Sequence, residues 1–333
     1  MSMLFHPSIL RTVRSVSLVA AALLGGVAIA ADVASYPSKP IRIIVPFAAG
    51  GGVDATARLI GEQLAKKLGQ PVYIDNKPGA GGLIAVRQTI ASPADGHTLF
   101  LGAAGEIVIN PVLNKDAGYD PKKDLVPVAI VVRAPNVLAV NADVPANSVA
   151  ELVDYARKNP GKLSFSSSGI GTIQHITGEV FNKVAGIDVF HVPYPGAAAA
   201  TIDVASKRVS MTFSSPGAVS PFVQKGQMKM LGVVMSKRYP ALPDLPTVQE
   251  SPGMAAFDVE SWFAMFAPAN TPAPVVRRLN AEVREAMKTP EVAEKLIKGV
   301  GMPSFEDEVQ AKAFVANEIA KYARILRDLN IKP

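Results

Sequence analysis

Short apolar runs bounded by glycine or proline recur along this chain. Between them lie longer segments with apolar residues three and four apart. The spacing predicts strands over 41–46, 72–75 and 98–101, with helices over 54–68 and 82–91. Two strand-like apolar segments follow, at 126–132 and 137–140. Then the rhythm restarts. A helix over 148–158 opens with Ser148 as N-cap and closes at Asn159-Pro160-Gly161. Strands at 163–166, 188–191, 209–213 and 229–234 alternate with helices at 172–184, 196–206 and 216–225. Beyond a proline-rich loop, Leu242-Pro243-Asp244-Leu245-Pro246, come an apolar strand at 262–267 and helices near 272–288, 290–298 and 306–329. Pro272 and Pro274 fall in an opening turn, where proline is tolerated. Strand–helix alternation implies mainly parallel sheets flanked by helices. The unit changes near 126–140 and returns near 255–267, so the pattern predicts an α/β body of two lobes joined by a two-segment hinge, a geometry that closes around a ligand.

Composition narrows this picture. Arg11 and Arg14 precede an apolar run from Val16 to Ile29, and Ala28-Ile29-Ala30 is an A-x-A cleavage site. The run is too short for a comfortable membrane span, so residues 1–30 read as a secretory signal peptide, with a short membrane anchor as the competing reading. Removing it takes two arginines and no acids: Lys+Arg falls from 34 to 32 against 28 Asp+Glu, and +6 becomes +4. Such a mild, scattered charge does not point to nucleic acid. There are no cysteines, which excludes disulfides, thiolate metal sites and cysteine nucleophiles. Export without disulfides makes a bacterial periplasm the simplest compartment. About 300 mature residues exceed one ordinary core, in keeping with two lobes.

The candidate chemistry lies in glycine-rich turns directly before predicted helices. These are Ala48-Ala49-Gly50-Gly51-Gly52, Pro78-Gly79-Ala80-Gly81-Gly82 and Ser166-Ser167-Ser168-Gly169-Ile170-Gly171-Thr172, with Pro195-Gly196 and Ser214-Ser215-Pro216-Gly217 as lesser examples. Glycine lets backbone N–H groups approach a ligand, and a helix start adds bare donors and partial positive charge; together they bind anions without a basic side chain. Each turn taken alone is equally a tight strand-to-helix connection. A glycine–serine loop in each lobe, at strand carboxyl ends, is the arrangement that open α/β sheets use for ligands.

Other readings fit less well. Gly50-x-Gly52-x-x-Ala55 satisfies a dinucleotide fingerprint, with Asp75 about where a ribose-binding acid would stand. However, Pro46-Phe47-Ala48-Ala49 intervene before the first glycine, and export removes the protein from cytosolic cofactors. No phosphate loop exists, because Val53-Asp54 follow Gly52. Ser168 and His175 with some aspartate make a hydrolase on paper, but no G-x-S-x-G elbow is present. His175 falls in a helix's first turn, as a capping or pocket group more than a base, and His191 ends a strand. Four histidines, His6 among them in the signal, are not spaced as metal ligands. Asp54 complements a helix dipole, braces its loop, or bonds a ligand hydroxyl or amine.

An ordered series of motifs resembles the periplasmic receptors of tripartite tricarboxylate transporters, the Bug family. Tyr36-Pro37-Ser38-Lys39-Pro40-Ile41-Arg42 resembles the mature start, and Pro46-Phe47-Ala48-Ala49-Gly50-Gly51-x-x-Asp54 the first loop. Asp75-Asn76-Lys77-Pro78-Gly79-Ala80-Gly81-Gly82, then Ala94-Asp95-Gly96-His97-Thr98-Leu99, match the next block. Ser168-Gly169-Ile170-Gly171-Thr172-x-x-His175, His191-Val192-Pro193-Tyr194-Pro195-Gly196, Leu242-Pro243-Asp244-Leu245-Pro246-Thr247-Val248-x-Glu250 and Trp262-Phe263-x-Met265-Phe266-Ala267-Pro268 continue it. Thr172 stands where serine is frequent, and Ser206-Lys207-Arg208-Val209-Ser210 where Gly-Gly-x-Val-Asp is usual.

The resemblance implies a type II-like periplasmic-binding-protein fold with no catalytic activity and no cofactor. It implies that a ligand carboxylate is gripped between the first loop and the Ser168–Thr172 loop by backbone N–H groups and ordered water, and is delivered to a small and a large membrane subunit. A monomer is expected. One lobe is expected to comprise 36–132 and 258–333, the other 133–257. Phe47, Ala48, Gly50, Gly51, Gly52, Val53 and Asp54 would form one jaw. Ser166, Ser167, Ser168, Gly169, Gly171, Thr172 and His175 would form the other, with Tyr194, Gly196, Ser214 and Ser215 lining the distal part. Residues 102–110 line the pocket in part on this reading, and Glu106 bears on specificity. The expectation is a receptor for a small organic carboxylate; an exported hydrolase using Ser168 and His175, or a ligand sensor for a signalling partner, are the alternatives.

Overall fold

The computed structural model describes residues 36–114 and 116–330, so the signal peptide read at 1–30 lies outside the described residues. In chain order the first unit is β1 (Ile41–Val45), α1 (Gly52–Leu68), β2 (Val72–Asn76), α2 (Leu83–Ile90) and β3 (Thr98–Ala103). A π-helical turn, Gly105–Ile109, runs into the short α3 (Asn110–Leu113), and α4 (Pro121–Asp124) precedes β4 (Leu125–Ala134). The second unit is β5 (Asn136–Asn141), α5 (Val149–Lys158), β6 (Ser164–Ser167), α6 (Ile173–Ala185), β7 (Phe190–Pro193), α7 (Ala197–Ala205), β8 (Met211–Ser214), α8 (Pro216–Gln224) and β9 (Met228–Val234). The chain ends with β10 (Ser261–Pro268), α9 (Ala273–Lys288), α10 (Pro290–Gly299), β11 (Met302–Pro303) and α11 (Glu308–Leu329).

Two sheets result, ordered β11-β4-β10-β3-β1-β2 and β7-β6-β8-β5-β9. In the first, β1 pairs parallel with β2 and β3, with Ile43 opposite Ile74 and Leu99. In the second, β6 pairs parallel with β7 and β8. Each sheet also receives a strand that runs against its neighbours: β10 is antiparallel to β3 and β4, and β5 to β8 and β9. Both are the strands that bring the chain across from the other sheet. β4 stays paired to Ala134, opposite Ser261, and Asn136 already pairs with Val234. The first crossing is therefore the single residue Pro135, slightly beyond 132. On the return path Phe257 still packs against Phe181 and Phe213 of the second lobe.

The continuous apolar runs are explained by burial on both faces of each sheet, with alternate residues feeding different cores. Leu99 and Leu101 join Ile43, Ile60, Leu64, Val276 and Leu279 on one side of the first sheet. Phe100 faces the other side, in a core with Trp262, Phe266, Tyr322, Leu138, Phe165, Phe181 and Phe213. That second core spans both lobes. α11 seals it, burying Ala311, Val315, Tyr322 and Leu326, while Trp262 Nε1–H donates to Glu318 Oε2 at 2.9 Å.

Candidate functional site

β1, β2 and β3 end at one edge of their sheet, and β6, β7 and β8 at the corresponding edge of theirs. The connections at these carboxyl edges are the glycine-rich turns. A Cβ built on Gly171, in the loop after β6, would lie 3.3 Å from Leu113 Cδ1 of α3. The second lobe's loop therefore reaches the first lobe beside its glycine turns.

The helix starts differ in how they are capped, and α9 and α10, away from this edge, open without a side-chain cap on Pro272 and Thr289. α5 and α11 are capped by side chains, Ser148 accepting from Glu151 N–H and Asp307 from Gln310 N–H. At α6, Thr172 Oγ1 accepts from His175 N–H. By contrast α1, α2 and α7 open on Gly51, Gly82 and Gly196, none of which supplies a side-chain cap. A glycine start leaves the first-turn N–H groups for another acceptor. Three such starts lie at the carboxyl edges, two from one lobe and one from the other.

The first turn is braced from beneath by Asp54, which is 2% exposed. Its Oδ2 accepts from Gly50 N–H at 2.9 Å and from Arg58 Nε at 3.0 Å, and its Oδ1 accepts from Asn76 Nδ2 at 3.0 Å. Asn76 Nδ2 also donates to Phe47 O at 3.0 Å. Burial pushes the carboxyl up, but the bonds from Arg58, Gly50 and Asn76 together outweigh it and hold it below the usual range. Of the roles open to Asp54, the structure shows the brace. Phe47, Ala48, Gly50, Gly51 and Gly52 remain exposed above it, and Val53 is buried.

In the second jaw most hydroxyls are already engaged. Ser166 is fully buried and donates to Ala200 O, and Ser214, 2% exposed, faces Thr201 Oγ1 at 3.4 Å. Thr172 Oγ1 donates to Gly169 O at 2.7 Å, and Tyr194 O–H donates to Asp203 Oδ2 at 2.7 Å. What this loop presents is backbone: Gly169, exposed Ile170 and Gly171, with both glycines at positive φ (130° and 76°) where a side chain would be strained. Ser215 is exposed at the start of α8.

Behind the jaw, His175 and His191 stack with ring centroids 4.0 Å apart, and His191 also stacks on Phe165. Gly171 N–H donates to His175 Nδ1 at 3.1 Å, and His175 Nε2 faces Glu179 Oε1 at 3.7 Å. Ser167 Oγ lies 2.7 Å from His191 Nε2 and donates to Gly169 O, so the imidazole is the donor between them. Burial lowers the His175 pKa, and burial followed by the neighbouring His175 lowers that of His191 to about 4. Burial, then Asp188, raises Glu179. Ligand atoms of His175, Glu179 and His191 all lie within 4.8 Å of one another. A metal on His175 Nε2 would require a proton on Nδ1, where Gly171 N–H already points, so the tautomer opposes a metal there. Nor does the paper hydrolase assemble. Ser168 bonds to Gln174, not His175, and the serine that does touch a histidine, Ser167, is 1% exposed and accepts from it.

Sequence reasoning left Asn76 and Leu113 out of the site and included Asn110 only within the 102–110 segment. Asn110 Nδ2 donates to Gly81 O, and Glu106 packs under Gly82. The Glu106 carboxyl accepts from Ala103 N–H at 2.8 Å, with no cation partner among the described residues, and burial pushes it up to about 7. Only the three-dimensional neighbourhood shows these supports, although the Asp75-Asn76 and glycine motifs marked the region. At the opposite, amino edge of the first sheet, Arg42, Tyr73 and His97 border a depression of about 360 Å³. Its cations are paired, Lys39 with Asp95 at 2.8 Å and Arg42 with Asp75.

Residues 56–331 match the model of the tripartite tricarboxylate transporter family receptor. A UPF0065 protein from the tcbD-tcbE intergenic region of Pseudomonas sp. (strain P51) is 37% identical over 282 residues, covering 82% of this chain and 84% of that one. Among solved structures, Rpa4515 of R. palustris with adipate shares 33% identity at a TM-score of 0.79, covering 90% of this chain and 99% of that one. MatC (Rpa3494) from Rhodopseudomonas palustris with bound malate shares 31% at 0.74, covering 87% and 100%.

Proposed function

The chain belongs to the tripartite tricarboxylate transporter receptor family, whose members bind solutes and are not enzymes, and from that premise we propose that it captures a small organic carboxylate in the periplasm by lobe closure and delivers it to the small and large membrane subunits of such a transporter. Export through a cleaved signal at 1–30 belongs to this reading. Among the described residues, no helix is long and apolar enough to cross a membrane.

The carrying observation is the set of glycine-opened, uncapped helix starts at the carboxyl edges of both lobes. Carboxylate oxygens complement such donors, and partners on both lobes make binding and closure one event. The proposed contacts are the backbone from Phe47 to Asp54 in one jaw and from Ser168 to Thr172 in the other, with Gly196 and Ser215 beyond. Pro135 and the strand start at Ser261 would flex, with the lobes divided there. Adipate and malate in the two structural relatives make dicarboxylates the first acids to test.

The test is a thermal-shift screen of mono- and dicarboxylates against amines and sugars. At a hundredfold excess over Kd a ligand adds about 2.7 kcal/mol, a rise of several degrees. Stabilisation by amines or sugars but by no carboxylate overturns the reading.

A further inference from the structure

The imidazole pair behind the second jaw has a role that anion binding alone does not require. His175 Nδ1 accepts from Gly171 N–H at 3.1 Å, so in its neutral form the ring carries its proton on Nε2, towards Glu179 Oε1 at 3.7 Å. This withholds one N–H of the glycine loop from the cleft. We propose that His175 is a proton-operated latch on that loop, so that the protein takes up a proton as it binds its anion. The proposal rests on the receptor reading above and adds a regulation to the same site.

A proton arriving at His175 can enter only at Nδ1. Two donors then face each other, and Gly171 N–H must turn from the ring. The proposed outlet is the cleft; Gly171, at φ +76° and without a Cβ, is the residue type that tolerates such a peptide rotation. Acidification thus frees a donor and places a cation behind the loop, and both changes favour a bound carboxylate. The groups facing the ring fit one added proton. Glu179, one turn along α6 and in the field of Asp188, faces the Nε2–H of the cation at 3.7 Å. His191 stacks on the same ring and donates to Ser167, so a second charge 4.0 Å away is excluded. Without ligand the cation has no compensation for the lost Gly171 bond; with an anion in the cleft it has. The His175 proton affinity therefore rises on binding, and by linkage the anion binds more tightly in acid.

Calorimetric titration of the mature protein with adipate and with malate, in paired buffers of unlike ionisation enthalpy, counts the protons. Uptake approaching one near pH 6 is expected, with affinity about tenfold tighter than at pH 8. His175→Asn keeps an acceptor for Gly171 N–H but cannot titrate. Its profile reports the acids' own ionisation, so the wild-type to variant ratio is the readout. In ligand-free wild type, NMR should show the Gly171 amide shifting in step with the His175 ring. A Gly171 amide indifferent to that titration, or wild-type binding that weakens relative to the variant in acid, overturns the latch. If neither acid binds at pH 8, the receptor reading fails for these acids while the NMR titration still decides the latch.

Discussion

Asp54 shows how a site proposed to bind with backbone still depends on a side chain. Its two oxygens hold Gly50, Arg58 and Asn76 in place, and through Asn76 also Phe47 O. Asp54→Ala removes the acceptor of Gly50 N–H and of Arg58 and one of the two acceptors of Asn76 Nδ2, and is expected to cost about 2 kcal/mol in urea unfolding, with a larger loss in ligand affinity. Asp54→Asn keeps one acceptor and should fall between. Because this carboxyl titrates below its ordinary range, its contribution is present at neutral pH and lost as pH falls through its folded-state value. Glu106 has the opposite sign. Buried and raised to about 7, it favours the native state when protonated and costs stability as pH rises from about 4.5 through 7. Glu106→Gln is expected to flatten that dependence and to stabilise at pH 8 by up to about 3 kcal/mol, read as Tm against pH.

Among the elements, the helices that open on glycine would, on the proposed reading, trade stability for binding. Gly51 sits at φ −81°, ψ 170°, a conformation suited to a serine cap, and a Cβ there would approach nothing nearer than Ala48 O at 3.9 Å. Gly51→Ser should therefore stabilise by a few tenths of a kcal/mol, read as a slightly raised Tm, because the new hydroxyl accepts from the first turn. The same bond takes a donor from the ligand, so carboxylate affinity should fall about tenfold, the equivalent of one charge-assisted hydrogen bond. If Tm rises and affinity does not change, the α1 start is not part of the site. Gly178 in α6 is glycine for another reason: its Cβ would lie 2.2 Å from the Phe165 ring. Gly178→Ala is expected to destabilise by about 3 kcal/mol through overpacking beneath the second jaw.

For the molecule as a whole, the common core matters most. Phe100 and Trp262 of the first lobe share an apolar cluster with Leu138, Phe165 and Phe213 of the second. α11 joins them further, with Arg133 lying 3.8 Å over the Phe314 ring and Lys183 meeting Asp328 at 3.7 Å. Calorimetry is expected to show one cooperative transition despite two sheets; two resolved transitions would mean that this core does not couple the lobes. The two-lobed fold was legible because each strand–helix unit writes its own period, and because 126–132 and 137–140 are apolar enough to be strands yet adjacent enough to belong to different sheets. The π-helical turn at 105–109 and the two-residue β11 were not legible. Neither has a period of its own, and both are set by what they pack against.

The sequence by itself determined where backbone donors are available: glycine before a helix removes both the cap and the steric barrier, and that is a local property. It also determined the element order, because hydrophobic period follows chain geometry. The tertiary structure decided which polar groups are free. Ser166, Ser167 and Ser214 look like ligand contacts in one dimension, but their hydroxyls are buried and bonded within the second lobe. The structure likewise shows His175 as the acceptor that holds Gly171, and sets His191, sixteen residues further along, against its face. The reason is physical. A hydrogen bond spends a donor on one partner, and which partner it meets depends on distances that the order of residues does not fix.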